Sequence, residues 1–132
     1  AALARLHAGN VRHLKIHDGP RYRRAAAELS RQDHGSHADE LETSLMLALA
    51  PEYVDMSLAE ASPMIAKAMP GRLWPSDKTS PNYSRSGSFG DPTLATLEKG
   101  EALLTAMRDD LVEQATLFLS AISRTAGRGA AS

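Results

Sequence analysis

In Val11-Arg12-His13-Leu14-Lys15-Ile16-His17, the apolar Leu14 and Ile16 alternate with charged or polar neighbours, the period-two pattern of a half-buried strand. Asp18-Gly19-Pro20 ends the segment as a turn. Upstream, residues 1–7 read as the tail of a helix, with Leu3 and Leu6 three apart, and Gly9-Asn10 breaks it. No other stretch of the 132 residues reads as a strand. A lone strand cannot make a sheet, because its N–H and C=O groups need a ladder partner. Either the chain is all-α, or this strand completes a sheet whose other members lie on another polypeptide.

The rest of the sequence is helical in pattern. Residues 21–32 form a short helical candidate with an alanine-rich centre, and 33–37 form a polar loop. Residues 38–50, rich in Leu, Ala, Met and Glu, predict a strong helix. Pro51 stops it, since proline cannot continue an interior turn. Residues 63–88 carry Pro63, Pro70, Pro75, Pro81, Gly71 and Gly87, with Trp74, Tyr83 and Phe89 in or beside them. They read as a long irregular excursion, a length uncommon without a function such as a lid or a subunit contact. Asp91 suits an N-cap and Pro92 a first helical position. Leu97, Leu104, Met107, Leu111, Ala115, Phe118 and Ile122 then recur at steps of three, four or seven. The spacing predicts an amphipathic helix of roughly nine turns at most. Residues 127–132, small and polar, read as a frayed tail.

Composition narrows the function classes. Lys+Arg is 15 and Asp+Glu is 16, a net charge of −1, without the basic excess of a protein that binds nucleic acid by bulk charge. Hydrophobic residues at 42% and charged residues at 23% place the chain among globular rather than disordered sequences. Cysteine is absent, which removes disulfide scaffolds, thiolate zinc sites and cysteine nucleophiles. No apolar run approaches the roughly 18 residues of a membrane span, and no signal peptide is visible. The expectation is a cytoplasmic chain of one domain, with neither membrane nor nucleic acid as partner. The chain starts at Ala1 rather than Met, so a processed or partial product is expected.

Chemistry concentrates in His34-Gly35-Ser36-His37-Ala38-Asp39-Glu40-Leu41-Glu42-Thr43-Ser44, which gathers two imidazoles, three carboxylates and three hydroxyls at a helix start. Imidazole and carboxylate suit Zn, Mn or Fe. On a helix, Leu41, Leu45, Ala48 and Leu49 share one stripe, and Glu42 falls at its margin. A carboxylate there is costly unless a cation or a donor meets it. Glu42 is therefore a metal-ligand candidate, with His34 behind it. The plainer reading is a solvated helix start whose acids are favoured by the macrodipole, and Asp39 is read that way. His13 and His17 share the strand's solvent face with Lys15. Arg21, Arg23 and Arg24 form a basic knot, a solvated face or an anion or subunit contact. Trp74 in Gly71-Arg72-Leu73-Trp74-Pro75 suits the floor of a small-molecule pocket or an interface anchor. No phosphate loop, dinucleotide glycine pattern or serine elbow is present.

His37-Ala38-Asp39-Glu40-Leu41-Glu42-Thr43-Ser44, followed by Leu45-Met46 and Pro51-Glu52-Tyr53-Val54, resembles the signature of the creatininase family of metal-dependent amidohydrolases. That signature runs His-Ala-Gly-Glu-x-Glu-Thr-Ser, an apolar helix, then Pro-x-x-Val. A second block is similar to the family's Gly-Asp-Pro-x-x-Ala-Thr-x-Glu-Lys-Gly segment: Gly87-Ser88-Phe89-Gly90-Asp91-Pro92-Thr93, with Ala95-Thr96 and Glu98-Lys99-Gly100. The blocks come in the family's order with a variable stretch between them, and the resemblance covers residues 11–114. Asp39 stands where the family has Gly, an added charge expected beside the site and bearing on substrate choice. The family's N-terminal Glu-x-His motif and its Asn-Gly-His-Gly-Gly-Asn loop are missing from this sequence.

The resemblance implies an α/β fold. Residues 1–132 would be the C-terminal half of a three-layer α/β/α sandwich, mostly helical within this chain and completed by another chain or fragment. The strand at 11–17 would join the sheet of that missing half. The resemblance further implies a hydrolase of an amide C–N bond in a small, possibly cyclic substrate, using two divalent ions (Zn, Mn or Fe) whose ligands come mostly from elsewhere. Glu42 aligns with the acidic metal-site residue. His37 aligns with the histidine that binds substrate and transfers protons. Glu40 aligns with the motif's first Glu, in the second shell or as an alternative ligand. A homo- or hetero-oligomer, hexameric by resemblance, is expected. A silent partner subunit and a deformylase- or peptidase-type reaction stand as alternatives.

Overall fold

The structure, a computed structural model, describes residues 11–62, 77–80 and 83–129, with side chains up to Arg124. Its elements in chain order are α1 (Pro20–Leu29), α2 (Glu40–Leu49), short 3-10 turns at Pro51–Tyr53, Met56–Leu58 and Pro92–Leu94, and α3 (Leu97–Gly129). The chain divides into two compact units. One joins the described residues up to Arg24 with those from Thr105 onward, and the other is Ala25–Leu104.

The strand expected at 11–17 does not form among the described residues. Val11–Lys15 lacks a ladder partner and Ile16-His17 lie in a turn closed by Asp18 N–H donating to the Lys15 carbonyl at 3.3 Å. Val11 and Ile16 are exposed. The physical reason is the one stated for lone strands: nothing here offers edge groups to pair with. Described β pairing is confined to an isolated antiparallel bridge between His37 and Phe89. The helix expected over 21–32 is α1, with Pro20 at its first position, where a missing N–H costs nothing. Trp74, residues 1–7 and most of the excursion at 63–88 lie outside the described residues.

In the first unit, the N-terminus of α1 is capped from far away in sequence. The Asp110 carboxylate accepts from the N–H groups of Arg21 (3.3 Å) and Tyr22 (2.9 Å), two donors a helix start leaves unsatisfied. The Arg21 guanidinium adds a bond to Asp110 at 3.1 Å and pairs with Glu113. Asp110 is 2% exposed. Burial pushes its carboxyl up, but the two N–H donors and the guanidinium outweigh that and hold it below its ordinary value. Arg21 of the basic knot is thus bound to carboxylates, while Arg23 and Arg24 are exposed.

In the second unit, α2 buries polar rather than apolar residues. Glu40 and Ser44, four apart on one face, are 0% exposed, while Leu49 is 63% exposed. That face meets the first turn of α3 at Gly100, where a Cβ would lie 1.9 Å from the Ser44 carbonyl oxygen. Only glycine permits so close a helix contact. The Ser44 hydroxyl donates to the Glu40 carbonyl at 2.6 Å and accepts from Thr96 N–H at 3.1 Å. The expected N-cap at Asp91 caps the Pro92–Leu94 turn instead, accepting from Thr93 N–H, and α3 begins only at Leu97. The buried apolar side chains among the described residues are Phe89, Pro92, Ala95 and Leu103. The predicted stripe names Leu104, which is half-buried, and misses Leu103. The backbone of α3 is helical to Gly129, so 127–129 of the expected tail continue the helix, and 130–132 lie outside the described residues.

Candidate functional site

The start of α2 is built by reciprocal capping. Asp39 lies in extended backbone, and its Oδ1 accepts from Leu41 N–H and Glu42 N–H at 2.9 Å each. Its Oδ2 accepts from the Gln32 amide at 2.9 Å. Glu42 reaches back past the cap, its Oε2 accepting from the N–H of Ala38, the residue before Asp39, at 2.8 Å. The other Glu42 oxygen, Oε1, meets no donor among the described residues, and the side chain is exposed. Asp39 is 6% exposed, and both of its oxygens accept bonds within the chain. It is a cap, the helix-start role read for it from the sequence.

Glu40 is the buried anchor of the site. Its Oε2 accepts from Arg31 N–H (2.7 Å) and Gln32 N–H (2.8 Å), with the Ser30 hydroxyl at 3.4 Å, and its Oε1 is paired with the Lys99 ammonium. Burial pushes the Glu40 carboxyl up, but Lys99 and the two N–H donors hold it below its ordinary value. Lys99 also donates to the Leu94 carbonyl at 2.8 Å. Both Glu40 oxygens are therefore committed within this chain.

His37 precedes the cap on an exposed loop. Its carbonyl accepts from Phe89 N–H at 2.7 Å, and Ser36 N–H donates to the Phe89 carbonyl at 2.8 Å. The imidazole stands edge-to-face on the buried Phe89 ring, centroids 6.4 Å apart at 89°. Ala38, between His37 and the cap, has φ +44°, a left-handed conformation that costs a non-glycine residue free energy. The buried Ser88 hydroxyl donates to the Ala38 carbonyl at 2.9 Å. Beside them opens a recess of about 160 Å³, with Ala38, Thr43, Met56, Ser88 and Pro92 in its walls. This is below the roughly 300–1,000 Å³ of usual ligand sites, so it holds at most part of a ligand.

The structure thus brings the two sequence blocks together: His37 on Phe89, Ala38 on Ser88, Glu40 on Lys99, Ser44 on Thr96 and Gly100. His37 and Glu42 flank one helix cap. His34 is exposed in the preceding loop and makes no hydrogen bond or ion pair among the described residues. Among the described residues no three His, Asp or Glu side chains converge as a metal centre. Sequence reasoning missed Gln32, whose carbonyl oxygen accepts from Glu40 N–H (3.3 Å) and Asp91 N–H (3.0 Å) and so ties both blocks. The sequence pattern puts Gln32 at the end of a helix, where nothing marks one glutamine as a hub. Ser88 and Lys99 stand inside the second block, but their partners are visible only in the fold.

The family model for creatininase, creatinine amidohydrolase, matches residues 2–115. Among solved structures, a creatinine amidohydrolase (creatininase) superposes with a TM-score of 0.58 at 25% identity, over 86% of this chain and 46% of that one. A structure described as creatininase Mn gives 0.55 at 25% identity, over 86% and 46%. A mutant creatininase complexed with creatine gives 0.55 at 25% identity, over 86% and 47%. The chain spans about half the length of these solved structures. No curated protein sequence matches it.

Proposed function

Since this chain belongs to the creatininase family, we propose that it is the C-terminal half of a metal-dependent amidohydrolase that opens an amide C–N bond in a small, possibly cyclic molecule. The observation that carries this reading is the convergence of the two blocks. They leave an imidazole (His37) and a carboxylate with one uncommitted oxygen (Glu42) on either side of the same cap.

The donors fit a divalent ion in part. Glu42 offers an exposed oxygen, a hard donor suited to Mn or Zn, and Ala38 N–H fixes its other oxygen. Glu40 has no free oxygen and acts as a bracket between α2 and α3. One carboxylate is not a coordination set, so the remaining ligands, for two ions by family resemblance, would come from the rest of the protein. When bound, a divalent ion supplies Lewis-acid polarisation of the amide carbonyl. Water adds to the amide carbon, and His37 delivers a proton to the leaving nitrogen as the C–N bond breaks, giving a carboxylate and an amine. Phe89 restricts where the imidazole can swing.

Completion by another chain or fragment is supported by the length of the relatives and by the exposed apolar side chains Leu49, Tyr53 and Leu58, at 63, 80 and 76%. In the completed protein the segment at 11–17 gains a sheet to join. Among the described residues no helix is long and apolar enough to cross a membrane. A cytoplasmic oligomer, hexameric by resemblance, belongs to the same proposal.

The test is to purify the protein with whatever accompanies it and to determine the intact mass of every chain, the metal content, and turnover of creatinine and other small cyclic amides. A second polypeptide, bound divalent metal and amide opening are expected. A complete assembly that takes up no divalent ion and opens no amide in the presence of Zn, Mn or Fe would overturn the reading. Metal without turnover would point to a silent partner, and turnover of formyl or peptide substrates alone to the deformylase- or peptidase-type reaction.

A further inference from the structure

We propose that Ser88 is a positioning residue for His37, acting through the left-handed Ala38. The inference rests on the reading above that His37 handles the proton. Ala38 has φ +44°, where an L-residue stays only if its surroundings hold it. Its two backbone groups show what does. The N–H donates to Glu42 Oε2 at 2.8 Å and the carbonyl accepts from Ser88 Oγ at 2.9 Å. Glu42 is exposed, so water competes for its bond. Ser88 is 4% exposed, so its bond is shielded. A second carbonyl, Gly90, lies 3.3 Å from the same hydroxyl. With one proton to give, Ser88 favours the closer acceptor, Ala38.

The direction of the next residue back follows. His37 is clamped through its carbonyl by Phe89 N–H and through its ring by the Phe89 side chain. Those contacts hold only if the peptide joining His37 to Ala38 keeps its orientation. If Ala38 relaxes to negative φ, that peptide rotates and the imidazole leaves the edge of Phe89. Ser88 lines the recess, but its one hydroxyl proton goes to Ala38, and in this scheme it meets neither the reacting atoms nor a metal. It sets where the imidazole stands.

The experiment compares Ser88→Ala, Ala38→Gly and the double variant in the full assembly, with selective ¹³C-histidine labelling. In Ser88→Ala, the ring-current shift that Phe89 imposes on the His37 ring resonances should shrink. Metal content and KM should hold, and kcat should fall by roughly ten- to a hundredfold, the scale of a misplaced reacting group. Glycine enters positive φ without strain, so the Ser88→Ala loss should be at least about threefold smaller in the Ala38→Gly background, a coupling expected only of groups that act together. An unshifted His37 resonance in Ser88→Ala, or equal losses in both backgrounds, would overturn the proposal. Should Ser88→Ala fold poorly, the double variant carries the comparison, since relief of strain predicts that it is the more stable of the two. The resonance reads His37 position without turnover. A wild-type assembly inert to amides would therefore count against the proposed activity and leave the Ser88 outcome readable.

Discussion

Lys99 of α3 donates to the fully buried carboxylate of Glu40 at the first position of α2. This pair binds two sequence blocks that lie far apart in the chain. Lys99→Met would leave the Glu40 charge in a buried site with only the Arg31 and Gln32 N–H groups and the more distant Ser30 hydroxyl as donors. Such a loss costs about 3 kcal/mol or more, read as a drop in the urea midpoint. The pH dependence has a definite sign. The folded Glu40 carboxyl lies below its ordinary value of 4.5, so its contribution is fully present above that pH and is lost as pH falls through the lower folded value. Glu40→Gln should flatten this part of the acid-unfolding curve. An unchanged curve would remove Glu40 from the account.

Gly100→Ala should destabilise although alanine is the better helix former. Helix propensity favours alanine by about 1 kcal/mol, but the new Cβ would sit 1.9 Å from the Ser44 carbonyl oxygen. Backbone cannot yield as a flexible side-chain tip can, so a net loss of about 1–3 kcal/mol is expected. A raised melting temperature would show that α2 and α3 are not in contact there.

Glu42→Gln and His37→Asn should differ in kind. Glutamine keeps an acceptor for Ala38 N–H, so the fold should survive while metal content and turnover fall together. His37→Asn should keep metal and lower turnover by roughly 10²-fold or more, the scale of acid–base catalysis. Elemental analysis beside steady-state rates in the complete assembly decides this. Full metal and normal rate in Glu42→Gln would end its ligand role, and metal loss in His37→Asn would make that imidazole a ligand.

Asp110→Ala should weaken the first unit by about 1–2 kcal/mol, the cost of a lost N-cap, because Arg21 N–H and Tyr22 N–H lose their acceptor. The wild-type carboxyl lies below its ordinary value of 3.8. Its share of stability is therefore present above that pH and fades as pH falls further. Matched denaturation curves at neutral and acidic pH test both statements. A loss under about 0.5 kcal/mol at neutral pH would count against the remote cap.

The helices were legible because propensity and proline punctuation are local. Leu, Ala and Glu mark α2, and Pro51 ends it. The family relationship was legible because both blocks keep their order. The buried face of α2 was not. Hydropathy selects Leu41, Leu45 and Leu49, whereas the contact with α3 is made by Glu40 and Ser44, buried because Lys99, Thr96 and neighbouring backbone satisfy them. The same blindness shifts the α3 stripe toward Leu104 and away from Gly100, Leu103 and Asp110. The segment at 11–17 alternates like a strand, but a strand is a relation between two segments, and among the described residues nothing pairs with it. Glu42 and His37 were singled out by residue type and motif. Their coupling through Ala38 depends on a backbone angle that composition does not encode.

The clasp between residues 31–44 and 88–100 has a consequence for how such a protein can change over generations. Most of its bonds are made within those two segments. Ser62 N–H adds one from the chain between them, to the Gly90 carbonyl at 2.9 Å, so most of that chain enters the clasp's free energy chiefly as a closure entropy. That term grows only logarithmically, about 0.6 kcal/mol per doubling of length. Lineages can therefore lengthen, shorten or exchange much of the intervening stretch while inheriting the same bonds between the two segments.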